Sequence, residues 1–340
     1  LIRKIVAKEE LFPGIIGYAD TVIPEVENAI LAGQDIILLG ERGQAKSRLI
    51  RALASLLDEE IPYIAGCEIN DNPFAPICSA CHEKISEMGD KVAIEWLPRE
   101  ARYAEKLATP DIAVADLIGE VDPIKVAEGR YLSDELTIHF GLIPRTNRGI
   151  FSINELPDLA ERIQVSLFNL MEEKDIQIKG YRVRLPLDVY LVASANPEDY
   201  TNRGRIITPL KDRYGAQIRT HYPRLPEDEM RIMDQEMTSF PDMKDMVIIP
   251  QYIKEIIAEI TSLARRSGDI NQRSGVSVRV SIANYESVIS NAYRRSLQHR
   301  ESKVVPRTSD LSAIGPSTMG KMELETLDDG RGGKILEELT

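Results

Sequence analysis

The sequence is poor in cysteine and has no long hydrophobic run. Three cysteines in 340 residues cannot form a disulfide framework and are typical of a reducing compartment. No apolar run approaches the roughly 20 residues that span a bilayer, and the N-terminus shows no signal-peptide pattern. We therefore expect a cytoplasmic protein without a membrane segment. Because the chain begins at Leu1 rather than methionine, it is compatible with a fragment.

An excess of basic residues is also missing. The chain has 42 lysines and arginines against 54 aspartates and glutamates, and its net charge is −12. A nucleic-acid backbone would be repelled overall, so nucleic-acid binding is not expected. Hydrophobic residues make up 43% of the chain, which is ordinary for a globular protein. The length is sufficient for two domains with well-buried cores.

Apolar strands alternate with helices over the first two thirds of the chain. This alternation predicts a parallel sheet covered by helices on both faces. Residues 176–185 alternate about a turn and predict a β-hairpin. The strand candidates are 35–39, 63–65, 149–153 and 188–195, and the helix candidates are 22–33, 47–57 and 160–173.

The pattern changes at two places. Residues 66–148 are polar and rich in turn formers, so we interpret them as an irregular insertion. Beyond Pro226 only helices are predicted, at 251–266 and 281–299. We therefore predict an α/β core at 1–225 containing the insertion and the hairpin, a helical lid at 226–305, and a C-terminal segment at 306–340 that is compatible with truncation.

The most informative stretch lies at residues 36–47. An apolar strand runs into a tight turn (Gly40, Gly43, Gln44 and Ala45), and Lys46 and Ser47 then begin a helix. Backbone N–H groups of such a turn and the positive end of the helix attract phosphate oxygens. Lys46 can reach the outer phosphates, and the Ser47 hydroxyl can bind Mg²⁺. One glycine of the usual pattern is replaced by Ala45, whose methyl group is small.

Two further strands end in polar residues. The strand at 149–153 leads into Asn154 and Glu155, where Glu155 fits the residue that activates the attacking water. Asn154 stands where a carboxylate is usual, and it can accept a hydrogen bond from a Mg²⁺-bound water without adding charge. A cap of the next helix is the alternative for Asn154. Asn196 follows the strand at 190–195 and can position the water, although an Asn-Pro turn is its simpler interpretation.

Several arginines could contact phosphate. Arg213 lies near the end of the core and can reach the γ-phosphate of a neighbouring subunit as an arginine finger. Arg203 and Arg205 compete for that role. Arg279 begins a lid helix and could contact phosphate in its own subunit. A surface position is the alternative for each of them.

The cysteines fall within the insertion. Cys78-x-x-Cys81 together with Cys67 suggests a zinc site, with His139 as a candidate fourth ligand. His82 directly follows Cys81 and is poorly placed to share one tetrahedral ion with it. No fourth ligand is clear, so reduced thiols without a metal remain an alternative.

The motifs come in the order found in AAA+ ATPases. The phosphate loop, Ile153-Asn154-Glu155, Asn196-Pro197, Asp212-Arg213-Tyr214-Gly215 and Arg279 carry this resemblance. The chain most closely resembles the ATPase subunit of magnesium chelatase and the related MoxR group, on the segments 116–122, 141–144 and 149–151 and on the hairpin before Asn196.

This resemblance implies a three-layer α/β sandwich with a parallel sheet and a smaller all-helical lid. It implies ATP and Mg²⁺ as ligands, with Ile15, Ile16 and Gly17 lining the adenine pocket. It also implies a homo-oligomeric ring, expected to be a hexamer, with ATP between subunits. Members commonly work with a partner bearing a von Willebrand factor A domain.

From these observations we predict an ATP-hydrolysing motor that remodels or activates a protein partner, as a chaperone does. One alternative is the magnesium-insertion ATPase of tetrapyrrole synthesis. A second is a nucleotide switch with impaired hydrolysis, which Asn154 suggests. A transcriptional activator of the same superfamily is disfavoured, because no DNA-binding module is apparent and the chain is acidic.

Overall fold

A computed structural model describes residues 1–122, 124, 137–173, 175–178, 181–196, 204–238, 246–268, 270 and 275–321. Contacts within the chain divide it into two compact units. The first comprises Leu1–Pro13, Pro24–Leu39 and Lys46–Arg219. The second comprises Gly14–Ile23, Gly40–Ala45 and Thr220–Thr340. The domain limits given above stay a prediction.

The first unit contains the strands. In chain order they are β1 Ile36–Leu39, β2 Glu60–Ile64, β3 Ile94–Pro98, β4 Tyr103–Leu107, β5 Gly119–Val121, β6 Ile138–Phe140, β7 Gly149–Asn154, β8 Asp175–Ile178, β9 Tyr181–Arg184, β10 Val189–Ala195 and β11 Ala216–Arg219. Five of them form one sheet in the order β11-β1-β10-β7-β4. Every neighbouring pair in this sheet is parallel. The predicted α/β fold with a parallel sheet is confirmed.

Helices occur in both units. They are α1 Ile2–Ala7, α2 Val22–Leu31, α3 Lys46–Leu53, α4 Ser79–Met88, α5 Val114–Leu117, α6 Leu142–Arg145, α7 Glu161–Glu173, α8 Thr208–Arg213, α9 Pro226–Glu236, α10 Gln251–Arg266, α11 Val278–His299 and α12 Gly315–Met319. The helices predicted at 160–173, 251–266 and 281–299 correspond to α7, α10 and α11. Among the described residues, none of these helices is long and apolar enough to cross a membrane.

The core of the first unit lies against the central strands of the sheet. Ile37, Phe151 and Ala193 have no exposed surface and belong to one hydrophobic cluster. Their strands read as near-continuous apolar runs because helices cover both sheet faces. Burial of these side chains provides the main favourable contribution to folding of this unit.

The interpretation of 66–148 as irregular was wrong. This stretch supplies β4, which pairs in parallel with β7 at the edge of the main sheet, and it also contains α4, β3, β5, β6 and α6. Strand β4 reads Tyr-Ala-Glu-Lys-Leu and none of its residues is fully buried. An edge strand of this kind lacks the apolar run by which the central strands were recognised.

The strand candidate at 63–65 lies outside the main sheet. It belongs to β2, which pairs with β3 in a separate antiparallel ladder. The hairpin predicted at 176–185 is present as β8 and β9, which pair antiparallel.

The second unit contains an all-helical core formed by α9, α10 and α11. Met233, Ile253, Ile257, Tyr285 and Val288 are fully buried in its hydrophobic cluster. The long apolar faces of α10 and α11 have helical spacing, which is why the sequence predicted them well.

A buried ion pair crosses this helical core. The Arg265 guanidinium donates to both carboxylate oxygens of Glu229, at 2.7 and 3.0 Å, and Glu229 is 3% exposed. The Ser281 hydroxyl also donates to Glu229. The pair therefore ties α9, α10 and α11 together with satisfied hydrogen bonds, which a buried charge requires.

Candidate functional site

The carboxyl ends of three neighbouring strands lie side by side in the first unit. Leu39 at the end of β1 pairs with Ala195 of β10, and Ala193 pairs with Ile153 of β7. Parallel strands present their carboxyl ends at one sheet edge, where ligands of open α/β sheets bind. Asn154 and Asn196 are therefore brought to the same edge.

Lys46, Asn196 and Glu155 form a chain of hydrogen bonds at this edge. Lys46 Nζ donates to Asn196 Oδ1 at 2.6 Å, and Asn196 Nδ2 donates to Glu155 Oε2 at 2.8 Å. Lys46 is 7% exposed and Asn196 is 5% exposed. Three polar residues far apart in sequence thus meet at this edge, and the burial of Lys46 and Asn196 strengthens the electrostatic interaction between them.

Glu155 occupies an unusual backbone conformation. Its φ is 57°, in the left-handed region that costs a non-glycine residue about 1–2 kcal/mol. The Glu155 N–H is held by Ser194 Oγ of β10 at 3.3 Å. Backbone strain of this kind clusters at functional sites, and here it lies at the residue predicted to activate water.

Asn154 does not cap the helix that follows it. Its Oδ1 accepts a hydrogen bond from the Ser194 hydroxyl at 3.4 Å, and Glu155 is the residue that precedes the short helical turn at 156–158. The capping alternative is therefore wrong, because the side chain is directed along the sheet edge to β10. Asn154 remains partly accessible at that edge.

The turn between β1 and α3 is tightly enclosed. At Gly40 a Cβ atom would collide with the side chains of Thr220 and Gln44, and at Gly43 it would collide with Ser277. Gly43 also has a φ of 75°. Both glycines are thus required by close approach, and Gly43 is required by its backbone as well.

Gln44 and Tyr18 hold this turn in place within the second unit. Gln44 Oε1 accepts from the Glu41 N–H at 3.1 Å and from the Thr220 hydroxyl at 2.7 Å. The Tyr18 hydroxyl donates to the Gln44 carbonyl at 2.7 Å, and burial raises the pKa of Tyr18 to about 12. The Gln44 side chain is therefore engaged in shaping the turn, and the contact of its backbone N–H with phosphate stays a prediction.

The segment predicted to line an adenine pocket lies in the same unit as the turn. A Cβ atom on Gly17 would lie 3.4 Å from Asp228 Oδ2 of α9, so Ile15, Ile16 and Gly17 run past that helix. Ile15 is 7% exposed, and Ile16 is half-buried. An apolar wall of this type suits a purine ring.

Arg279 lies in the first turn of α11, close to the turn at 40–45. It is exposed, and its N–H donates to the Ser277 hydroxyl at 3.1 Å. Ser277 is the residue that a Cβ on Gly43 would strike. Arg279 thus follows Ser277, a direct neighbour of the turn, by two residues. This position is compatible with the predicted contact of its guanidinium with phosphate.

Arg213 ends α8 and forms an ion pair with Glu172 of α7. Both side chains are more than a third exposed, so the pair contributes at most about 1 kcal/mol. Of the competing finger candidates, Arg205 is exposed, and Arg203 lies outside the described residues, as does Pro197.

Curated relatives of the chain are magnesium-chelatase subunits. The chain is 28% identical to "Magnesium-chelatase subunit ChlI" of Nostoc sp. over 67% of its length and 59% of that protein. It is 28% identical to the "Magnesium-chelatase 38 kDa subunit" of Rhodobacter capsulatus, with coverage of 68% and 62%. The matched region thus spans about three fifths of these relatives. This chain resembles the AAA+ subunits of magnesium chelatase.

No protein-family model matches the chain. A solved complex of the BchI and BchD subunits of magnesium chelatase aligns with 97% of this chain and 99% of its own, at 19% identity and a TM-score of 0.48. That superposition is too loose for any argument to rest on it.

Ala45 replaces a glycine of the usual phosphate-loop pattern in this magnesium-chelatase-like chain, and this replacement should affect stability measurably. Its φ is 52°, which is left-handed backbone that favours glycine. We expect Ala45→Gly to raise the free energy of unfolding by up to about 1 kcal/mol, because relief of a roughly 1–2 kcal/mol strain outweighs the entropy that glycine gains in the unfolded chain.

Denaturant unfolding of both proteins measures this change. Ala52→Gly in α3 is the matched control, and it should lower stability by about 0.5–1 kcal/mol because it lies in ordinary helix. A loss of stability in Ala45→Gly similar to that in Ala52→Gly would contradict the strain at residue 45.

The cysteines come together, but not with the predicted histidine. Cys67, Cys78, Cys81 and Asp71 place their candidate ligand atoms within 4.8 Å of one another. His139 was wrong as the fourth member, because it lies on β6, where its ring contacts the Arg145 guanidinium. Sequence reasoning missed Asp71, although a Cys-x-x-x-Asp spacing was visible.

The residues that shape the phosphate turn were also missed. Tyr18, Thr220, Tyr222 and Ser277 all contact the turn at 40–45. Thr220 is 176 positions from Gln44 along the chain. No local sequence pattern predicts a contact between residues so far apart, so these positions could be found only in the folded chain.

Proposed function

We propose that this chain is an ATP-hydrolysing AAA+ motor of the magnesium-chelatase type that remodels or activates a protein partner. The observation that carries the proposal is the hydrogen-bonded chain of Lys46, Asn196 and Glu155 at the carboxyl edge of the sheet. A cation, a neutral amide and a carboxylate in this order are what hydrolysis of a bound triphosphate needs.

The enclosed turn suits a polyphosphate. A Cβ atom at Gly40 or Gly43 would collide with neighbouring protein side chains, so the turn is held in one tight conformation, and its backbone N–H groups would bind phosphate oxygens. Lys46 would neutralise charge on the outer phosphates. Ser47, on the first turn of α3, would hold Mg²⁺, whose charge offsets that of the phosphates, and Asn154 would accept a hydrogen bond from a Mg²⁺-bound water.

Glu155 would act as the general base in this reaction. Its carboxylate takes a proton from the attacking water, and the hydrogen bond from Asn196 Nδ2 fixes the orientation of that carboxylate. In the bound state Lys46 would exchange Asn196 for phosphate, so that Asn196 Oδ1 would accept a hydrogen bond from the water while Nδ2 still donates to Glu155. Positioning and charge stabilisation supply most of the rate in phosphoryl transfer.

Partners follow from the resemblance. The chain would form a homo-oligomeric ring in which Arg213 of one copy completes the site of the next. Arg279 would contact phosphate in its own subunit and couple hydrolysis to movement of the helical lid. A protein bearing a von Willebrand factor A domain would receive this movement.

A second candidate is magnesium insertion into a tetrapyrrole, which the names of the relatives favour. The motor residues are the same in both cases, so they do not discriminate. A purified ring that supports ATP-dependent magnesium insertion with a porphyrin-binding partner would establish this candidate. A partner with a von Willebrand factor A domain and no porphyrin-binding protein would favour activation of another enzyme.

A nucleotide switch with impaired hydrolysis is a third candidate, and neutral Asn154 favours it. Steady-state phosphate release separates it from the motor, because a switch binds ATP without turnover above background.

The proposal predicts that Lys46→Met abolishes ATP binding at concentrations that saturate the wild type. Methionine is an unbranched side chain one atom shorter than lysine, and it removes the ammonium group that faces Asn196. Binding of a fluorescent ATP analogue and phosphate release measure the effect. Lys91→Met, at an exposed lysine, should leave both unchanged, and equal behaviour of the two variants would refute a phosphate site at Lys46.

A further inference from the structure

We propose that Cys67, Asp71, Cys78 and Cys81 form a structural zinc site with three thiolates and one carboxylate. The ligand atoms of these four residues lie within 4.8 Å of one another. The site lies within the first unit and involves none of the residues placed at the phosphate turn. The proposal therefore stands independently of ATP hydrolysis.

The spacing of the sulfur atoms fits a single tetrahedral ion. Cys67 Sγ and Cys78 Sγ are 3.9 Å apart. A tetrahedral ion with zinc–sulfur bonds of about 2.3 Å places two sulfurs about 3.8 Å apart. The ligand atoms of a multi-iron cluster would lie farther apart, so one ion fits better. Thiolate-rich donor sets favour zinc over harder divalent cations.

Asp71 supplies the observation that favours a cation. The residue has no exposed surface. Its Oδ2 accepts from the N–H groups of Ile77 and Cys78, at 3.0 and 2.9 Å, while its Oδ1 is buried without a hydrogen-bond partner among the described residues. An unpartnered carboxylate oxygen is costly in a protein interior, and a metal ion in the group of thiols would satisfy it.

Backbone donors around the group suit thiolates. The Asp71 N–H donates to Cys67 Sγ, and the Cys81 N–H donates to Cys78 Sγ, each at 3.4 Å. Cys78 also precedes α4, so its sulfur lies at the positive end of a ten-residue helix. Such outer contacts orient metal ligands and spread their negative charge.

An apolar plug of three reduced thiols is the alternative. Cys78 and Cys81 do belong to the hydrophobic cluster of the first unit, and free cysteine behaves as a small hydrophobic residue. That alternative gives no partner to Asp71 Oδ1. A metal ion accounts for the buried carboxylate and for the sulfur spacing together.

Zinc at this position would fasten a turn that supports the main sheet. The turn at 67–71 is linked to the residues before β7, because Asn147 Nδ2 donates to the Ile69 carbonyl at 2.9 Å and Arg148 donates to the Asn70 carbonyl. The ion would join this turn to the start of α4. Its removal should therefore lower the melting temperature of the whole chain.

Metal analysis of the full chain, purified without chelator, tests the proposal. We expect about one zinc per chain. Apo protein prepared with chelator should melt at a lower temperature. On titration with Co²⁺, it should develop the thiolate-to-metal charge-transfer absorption of a tetrahedral site.

Variants test the ligand set. Asp71→Asn keeps an oxygen for the two N–H donors and removes the negative charge, so the variant should fold. Its metal affinity should fall by more than the roughly 10- to 100-fold that loss of an outer contact costs. Cys78→Ser should lower the zinc content of the purified chain to a small fraction of that in the wild type. His82→Ala and His139→Ala are the controls, and both should retain full zinc.

Three results would overturn the proposal. One is wild-type protein that lacks zinc and gives no charge-transfer band with Co²⁺. Another is a Cys67–Cys78 disulfide in protein purified under reducing conditions. The third is an Asp71→Asn variant with undiminished Co²⁺ affinity. If Cys78→Ser fails to fold, the wild-type metal content and the Asp71→Asn titration still decide.

Discussion

Glu155→Gln should lower the rate of ATP hydrolysis by about 10²- to 10⁴-fold, the usual contribution of a general base. Glutamine has the same shape and can still accept the hydrogen bond that Asn196 Nδ2 donates to Oε2 at 2.8 Å. ATP binding should therefore be retained. Single-turnover phosphate release, together with equilibrium nucleotide binding, measures both effects.

The matched control is Glu161→Gln, at an exposed carboxylate at the start of α7. It should leave turnover and binding at wild-type values. Turnover that survives Glu155→Gln, or a wild type that never exceeds background, would contradict the enzymatic assignment. If the prediction holds, the ATP-loaded Glu155→Gln protein should retain its client long enough for affinity purification and identification.

Arg213→Ala should lower turnover by about 10³- to 10⁵-fold while ATP binding is retained, because an arginine finger acts on the transition state from the neighbouring copy. The ion pair that Arg213 makes with Glu172 is solvent-exposed and contributes little. It would therefore not prevent the guanidinium from engaging another subunit.

Glu172→Ala distinguishes the two roles of Arg213. If the arginine acts only through its ion pair, both variants should lose the same activity. If it acts as a finger, Glu172→Ala should keep turnover near that of the wild type. Arg205→Ala tests the competing candidate and should have no large effect.

Mixing two inactive variants tests whether the site is shared between copies. In a ring of Arg213→Ala and Glu155→Gln chains, some sites combine an intact Glu155 with an intact Arg213 from the neighbour. Phosphate release should then exceed that of either variant alone. A mixture no more active than its parts, in rings shown to contain both chains, would place Arg213 outside the site.

The sequence predicted the phosphate turn and the strand ends because these features are local. An apolar strand, a turn with Gly40 and Gly43, and a lysine at the start of a helix form one continuous pattern. Once β7 and β10 were recognised as neighbouring parallel strands, the meeting of Glu155 with Asn196 followed from the geometry of sheets. The helices of the C-terminal region could also be predicted from the sequence, since α10 and α11 have strong apolar periodicity.

The sequence did not predict the position of residues whose local pattern shows no sign of burial. Strand β4 contains Glu105 and Lys106, so no apolar run in the sequence indicates that it belongs to the main sheet. His139 was a candidate fourth zinc ligand on residue type, whereas the structure places Asp71, four positions after Cys67, with the three cysteines. In both cases the preference of a residue type was taken for a position in space.

The sequence by itself determined the strands β1, β7 and β10, the helices α10 and α11, the tight turn at 40–45 and the polar strand ends, because hydrophobic periodicity and turn chemistry act over a few neighbouring residues. Only the tertiary structure decided that β4 joins the sheet, that Thr220 and Ser277 enclose the turn, and that Asp71 meets three cysteines. Those contacts depend on the path of the whole chain, since packing brings together distant residues whose local sequences do not predict the contact.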